Sequence, residues 1–270
     1  MSKEQVSTRL TIVWVLVLVA IVIGLTYLLP ENTNSEEGRT LSTEEWAEIK
    51  EHYNLGFAYD YQGDKENASY HFLEAIKRLP EGDSRIFTAY IYLARMAFPP
   101  DQHLSQEDEA ELKVYMRKLD ELKETDTDQA WIDVLWAEYY HSKGNRDEAI
   151  KLARNAVKLN SSSATFVHAL AEVMIEGHND GKHFFYTDNL PEVMYLLELS
   201  LNMEKGQSHS YYLLGVAYWF NGEKQKARLT WEQGLKILDV DLYPKWFTNQ
   251  TEKEIRELLA NPEKLNEMRL

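Results

Sequence analysis

The side chains best suited to chemistry gather in one stretch, EGHNDGKHFFYTDN, residues 176–189. His178, Asp180, His183 and Asp188 offer two imidazoles and two carboxylates, donor types that suit a divalent cation. Their spacing fits no metal motif, and Asn179-Asp180-Gly181 is a turn signal in its own right. The stretch therefore reads as a structural or partner-contacting loop, with Phe184, Phe185 and Tyr186 packing back on the rest of the chain and no metal assigned. Catalytic patterns are absent elsewhere: there is no G-x-S-x-G, no G-x-x-x-x-G-K, no H-E-x-x-H and no G-x-G-x-x-G. The sequence also has no cysteine, which excludes disulfides, thiolate zinc sites and cysteine nucleophiles. A non-enzymatic chain without catalytic residues or cofactor is expected.

The 270 residues hold 44 acidic and 29 basic side chains, a net charge of -15 that repels a polyanion, so nucleic acid is not an expected partner. Residues 10–29 (LTIVWVLVLVAIVIGLTYLL) carry no charge and, as a helix, span about 30 Å, the thickness of a bilayer's hydrocarbon core. This run exceeds the apolar region of a secretory signal, and no A-x-A-like site follows it, so it reads as a transmembrane signal-anchor. Lys3 and Arg9 precede it, whereas Glu31, Glu36 and Glu37 follow. This bias keeps residues 1–9 cytoplasmic and places the remainder across the membrane. In a bacterium that means a single-pass inner-membrane protein with a periplasmic C-terminal domain.

Residues 30–43 are polar and turn-rich, as a short tether is. Ser42 with Glu45 then fits a capping box, so helix begins there. The rest is amphipathic and internally repetitive. Gly56, Tyr59, Gly63, Ala68, Phe72 and Ala75 recur at identical offsets as Gly215, Tyr218, Gly222, Ala227, Trp231 and Gly234. A third copy reads Ala137, Tyr140, Gly144, Ala149, Ala153 and Ala156. Small residues at such intervals let two helices approach closely, the tyrosine fills space one turn on, and the second glycine suits the left-handed end of the first helix. Gly56, Tyr59, Ala68, Ala137, Tyr140, Ala149, Gly215, Tyr218 and Ala227 are thus repeat-packing residues.

With these offsets in view, the sequence resembles the tetratricopeptide repeat family, whose unit is about 34 residues with Leu-Gly, Tyr, Ala, Phe, Ala and Pro in fixed places. Residues 49–82 match best and include Pro80; Trp136-Ala137 stands for Leu-Gly in residues 130–163, and Asp239 replaces the proline in residues 208–241. The three copies are spaced by more than two standard units, so one degenerate unit with a lengthened loop belongs in each gap. Leu93-Ala94 and Ser105 mark the first of these, Leu170-Ala171 and Leu190-Pro191 the second. The expected fold is an all-α, tetratricopeptide-like solenoid of about five helix pairs over residues 44–250, closed by a capping helix over 251–270.

The resemblance implies that first helices line a concave groove for a partner protein. By register the groove positions are Tyr53, Phe57, Asp60 and Tyr61, then Trp131, Val134, Glu138 and His141, then His209, Tyr212, Val216, Trp219 and Phe220. Their aromatic rings serve equally well as groove anchors or as core. Tyr53 and Phe57 stand where carboxylate-clamping members of the family need Lys and Asn, which argues against such a clamp. The expected function is an envelope scaffold or assembly factor binding a protein partner. The alternatives are a chaperone-like holdase near a translocation channel and, since the layout looks like the membrane-anchored repeat proteins of bacterial cytochrome c maturation, a factor of that kind.

Overall fold

A computed structural model describes residues 41–98, 104–179, 182–238 and 245–270. The apolar stretch 10–29, with the segments on either side of it up to residue 40, lies outside the described residues. No described helix is long and apolar enough to cross a membrane.

Eleven α-helices are described: α1 (Thr43–Gln62), α2 (Lys65–Arg78), α3 (Ser84–Met96), α4 (Gln106–Leu122), α5 (Asp126–Ser142), α6 (Arg146–Leu159), α7 (Ala164–Ile175), α8 (Leu190–Met203), α9 (Ser208–Phe220), α10 (Lys224–Ile237) and α11 (Lys245–Ala260). A 3-10 helix, Pro262–Glu267, follows α11. Local chemistry sets the boundaries. At α1 the Glu45 amide donates to Ser42 Oγ at 3.2 Å while the Ser42 amide donates to Glu45 Oε2 at 2.8 Å, and the same reciprocal box opens α4 at Ser105 and α5 at Thr125. Gly63, Gly144 and Gly222 stand just past three of the first helices with φ of 81°, 72° and 87°, a left-handed turn that L side chains adopt only at a cost.

The helices form five antiparallel pairs, and the chain is an all-α solenoid of tetratricopeptide type. Each pair is closest where a small residue faces a large one. A Cβ on Gly56 would lie 2.9 Å from the Phe72 ring, and one on Gly215 would lie 2.1 Å from Trp231 Nε1. In the middle pair Ala137 meets Ala149 and Ala153, all fully buried. The second helices bury one register throughout: Ala68, Phe72 and Ala75, then Leu112, Met116 and Leu119, then Ala149, Ala153 and Ala156, then Val193, Leu197 and Ser200, then Ala227, Trp231 and Gly234. Pairs two and four therefore keep the packing rows while their larger side chains hide the sequence pattern.

The first helices α3, α5, α7, α9 and α11 pack side by side, which puts them on the inside of the curve, and α11 also reaches α1. The cap differs from its sequence reading. It begins at Lys245 rather than residue 251, because Thr248 and Thr251 are themselves buried.

The segment read as a loop is in fact a β-hairpin. Strand β1 (Glu176–Asn179) pairs antiparallel with β2 (Lys182–Phe185), Glu176 opposite Phe185 and His178 opposite His183. A two-stranded hairpin is marginal alone, and here a third segment completes it. The Phe185 amide donates to Met268 O at 2.7 Å, and the Leu270 amide donates to Phe185 O at 2.9 Å. Arg146 holds the base of the insertion: its guanidinium donates to Met174 O at 2.6 Å, pairs with Asp188 at 2.8 Å and lies 3.8 Å from the Tyr186 ring centroid.

Candidate functional site

Most polar side chains of the solenoid's interior converge where α7, α9, α11 and β1 meet. His168 and Glu172 are one turn apart on α7, so helical geometry brings them to one face, and Glu176 follows as the first residue of β1. His209 projects from the first turn of α9, Glu254 from α11, and the hairpin returns His183. The resulting contacts are short. His168 Nε2 is 3.3 Å from Glu172 Oε2, His209 Nε2 is 3.7 Å from Glu176 Oε2, and His183 Nε2 donates to Glu176 Oε1 at 3.1 Å. His141 of α5 donates from Nε2 to the Glu176 carbonyl at 3.0 Å. One ligating atom from each of His168, Glu172 and His209 lies within 4.8 Å of the others.

A second row of hydrogen bonds orients His168. Gln207 Nε2 donates to Glu204 Oε2 at 3.0 Å, which turns the Gln207 carbonyl toward Ser200 and Ser210. Ser210 Oγ donates to that carbonyl at 2.9 Å and lies 2.8 Å from His168 Nδ1.

Burial and opposite charge compete here. Burial alone pushes the Glu176 carboxyl up, but the facing His183 and His209 imidazoles hold it well below the ordinary carboxylate range. Burial pulls His209 down, yet Glu176, with Glu172 and Glu254 behind it, lifts the ring to about 9. Glu254 has burial as its main influence and is raised. Removing charges from water costs several kcal/mol per ion, so such a group persists only when every charge is compensated.

The sequence-derived groove positions fall into two sets. Tyr53, Tyr212 and Trp219 are core residues: Tyr53 donates to the Arg85 carbonyl at 3.1 Å, Tyr212 stacks on His209 at 5.4 Å, and Trp219 lies against Trp231 at 6.2 Å. Val134, Val216, His141 and His209 are buried as well, and Asp60 is nearly so. Phe57, Tyr61, Trp131, Glu138 and Phe220 remain half-buried on the inner row. Neighbouring first helices pack against each other, so each register position is shared between groove and inter-repeat contact, and the larger rings are drawn into the contact. The four donors of the 176–189 stretch do not act as one set, since Asp188 goes to Arg146 and His183 to Glu176.

Asp60 supplies one test. Burial raises its carboxyl above the ordinary range, against the opposing pull of Arg95 and Lys65. A carboxyl raised in the folded state binds its proton more tightly folded than unfolded, so it lowers stability as pH climbs from its unfolded pKa through the folded one. Asp60→Asn should therefore raise the urea midpoint at pH 7, and the gain should vanish below the unfolded carboxylate pKa. A gain independent of pH would refute this cause.

Sequence reasoning missed one exposed feature. Tyr70, Val114, Tyr195 and Leu229 are 56%, 43%, 63% and 53% exposed on α2, α4, α8 and α10. They lie two positions after Ala68, Leu112, Val193 and Ala227, the first residues of the buried rows given above, a register readable once the repeats are aligned.

A tetratricopeptide repeat family model matches residues 208–237, the α9–α10 pair. No curated protein matches the chain. Among solved structures, a crystal structure of MamA is similar at 16% identity and a TM-score of 0.40, over 68% of this chain and 95% of that one. Yeast Tom70 is similar at 16% identity and 0.46, over 85% of this chain and 47% of that one. The TPR2AB domain of yeast Sti1, solved as a pHSP90 complex, is similar at 17% identity and 0.39, over 78% and 84%. The matched segment is the pair in which Gly215 seats Trp231, and with it the chain carries a tetratricopeptide repeat within a solenoid of that type.

Proposed function

We propose that this chain is a non-enzymatic scaffold that captures a partner protein on the inner row of its helices. The observation that supports this reading is the set of side chains on that row that stay half-buried, three of them while packing one side against the core: Phe57, Tyr61, Trp131, Glu138 and Phe220. Rings of this kind anchor an extended or apolar segment at small entropic cost. Residues 10–29 tie the scaffold to a bacterial inner membrane, N-terminus inside and solenoid in the periplasm, so the partner belongs to an envelope complex. This part of the proposal rests on the charge-free run and on the basic residues before it. The tasks that fit are assembly of such a complex and, secondarily, holding unfolded clients or assisting cytochrome c maturation.

Crosslinking of the full chain in its native membrane, followed by mass spectrometry, identifies the partner. Phe57→Ala, Tyr61→Ala and Phe220→Ala together should reduce its capture at least about tenfold, as loss of hot-spot rings does, with helicity unchanged. Tyr70→Ser, Tyr195→Ser and Leu229→Ser should leave capture intact. The reverse result moves the partner to the outer ridge and overturns the inner-row assignment.

A further inference from the structure

We infer that His168, Glu172 and His209 form a site for a divalent first-row cation of zinc type, with Glu176 beside it as a further oxygen donor. Two imidazoles and a carboxylate are the donor set that such borderline cations take. The geometry is nearly assembled. Bonds of 2.0–2.1 Å in a tetrahedron place ligand atoms roughly 3.3 Å apart. His168 Nε2 and Glu172 Oε2 are already 3.3 Å apart, and all three ligating atoms fall within 4.8 Å. The His209 ring must move inward to close the set.

The orientation of His168 adds an independent argument. Glu204 accepts from Gln207 Nε2, so Gln207 Oε1 must accept the Ser210 hydroxyl proton at 2.9 Å. Ser210 Oγ then faces His168 Nδ1 at 2.8 Å with a lone pair, and Nδ1 carries the hydrogen. The remaining nitrogen, Nε2, faces a carboxylate oxygen of Glu172 3.3 Å away. Either a proton or a metal ion fills that gap. Hydrogen bonding of the far nitrogen is also the arrangement that fixes a ligating imidazole and raises its basicity.

Charge balance points the same way. Glu172 and Glu176 set two carboxylates against His168 and His209. A dication offsets two. His168, Glu176 and His209 side chains are 7%, 4% and 8% exposed, whereas Glu172 at 25% leaves an approach from solvent.

The test uses the full chain, stripped with chelator and titrated with zinc chloride by calorimetry, with the retained metal counted. One zinc per chain is expected, and cobalt(II) in its place should give the intense visible bands of a tetrahedral ion. His168→Ala with His209→Ala should weaken zinc binding by at least about 100-fold. Ser210→Ala, which removes only the orienting hydroxyl, should weaken it by roughly 10–100-fold with an unaltered circular dichroism spectrum. It therefore decides the matter even if the double variant fails to fold. Asp188→Asn, on the other side of the hairpin, should bind as the parent does. Absence of zinc at micromolar concentrations, or unchanged affinity in Ser210→Ala, would overturn the site and leave a network neutralised by protons alone.

Discussion

Phe185→Ala is expected to destabilise the folded chain by about 3–5 kcal/mol, the range for removing a buried aromatic ring. The ring is fully buried, with the His183, Phe220 and Tyr212 rings 4.6, 6.0 and 6.4 Å from it. No main-chain hydrogen bond is lost by the substitution, so the effect isolates side-chain packing. The consequence should be local as well as global: amide hydrogens of 176–185 and 262–270 should exchange faster together, because Phe185 is the residue at which hairpin and C-terminal segment pair. Denaturant unfolding with hydrogen exchange checks both. A loss below about 1 kcal/mol, or unchanged exchange in 262–270, would refute this account of the hairpin.

Gly215→Val is expected to cost about 3 kcal/mol, at the upper end of overpacking. The first atom of any side chain at this position would enter the Trp231 indole, 2.1 Å from Nε1 and 2.4 Å from Cδ1. The indole has nowhere to go, since Trp231 is fully buried and its Nε1 donates to the Tyr212 carbonyl at 3.1 Å. Gly56→Ala is the useful contrast. Its new methyl would meet Phe72 at 2.9 Å, which asks the ring to move a few tenths of an ångström, while alanine gains up to about 1 kcal/mol over glycine in a helix. The two terms nearly cancel there. Thermal melts should place Gly56→Ala within a few degrees of the parent and Gly215→Val far below it; equal shifts would sink the close-packing argument.

The same two glycines explain how much of the fold was legible. Local pairing is written in each repeat by residues close in sequence, so small side chains at fixed offsets identify helix hairpins directly. Pairs two and four obey the same packing rows with Leu112, Met116 and Leu119 or Val193, Leu197 and Ser200, and in sequence their units show through spacing and through Leu93-Ala94 with Ser105 and Leu170-Ala171 with Leu190-Pro191. The hairpin was hidden because its stability comes from Met268 and Leu270, far along the chain. Polar convergence was hidden for a related reason. His209 and Glu254 reach Glu172 and Glu176 through the curvature of the inner row, a property of the whole stack that no single repeat encodes. One signal was available: His168 and Glu172 an interval of four apart on an otherwise apolar helix, with Glu176 just past its end. The groove rings were ambiguous in sequence, and their burial follows from how tightly first helices pack.

Arrays whose units touch only their neighbours ordinarily lose structure piecemeal, fraying from either end. This chain has long-range clasps instead: Phe185 holds Leu270, and α11 reaches α1. Both demand that remote parts of the polypeptide meet before either is rewarded, which slows folding through loop-closure entropy. Once made, the first ties the C-terminal segment to the hairpin and the second ties the cap to the first helix. Unzipping from the C-terminal end is thereby coupled to contacts with the hairpin and with α1.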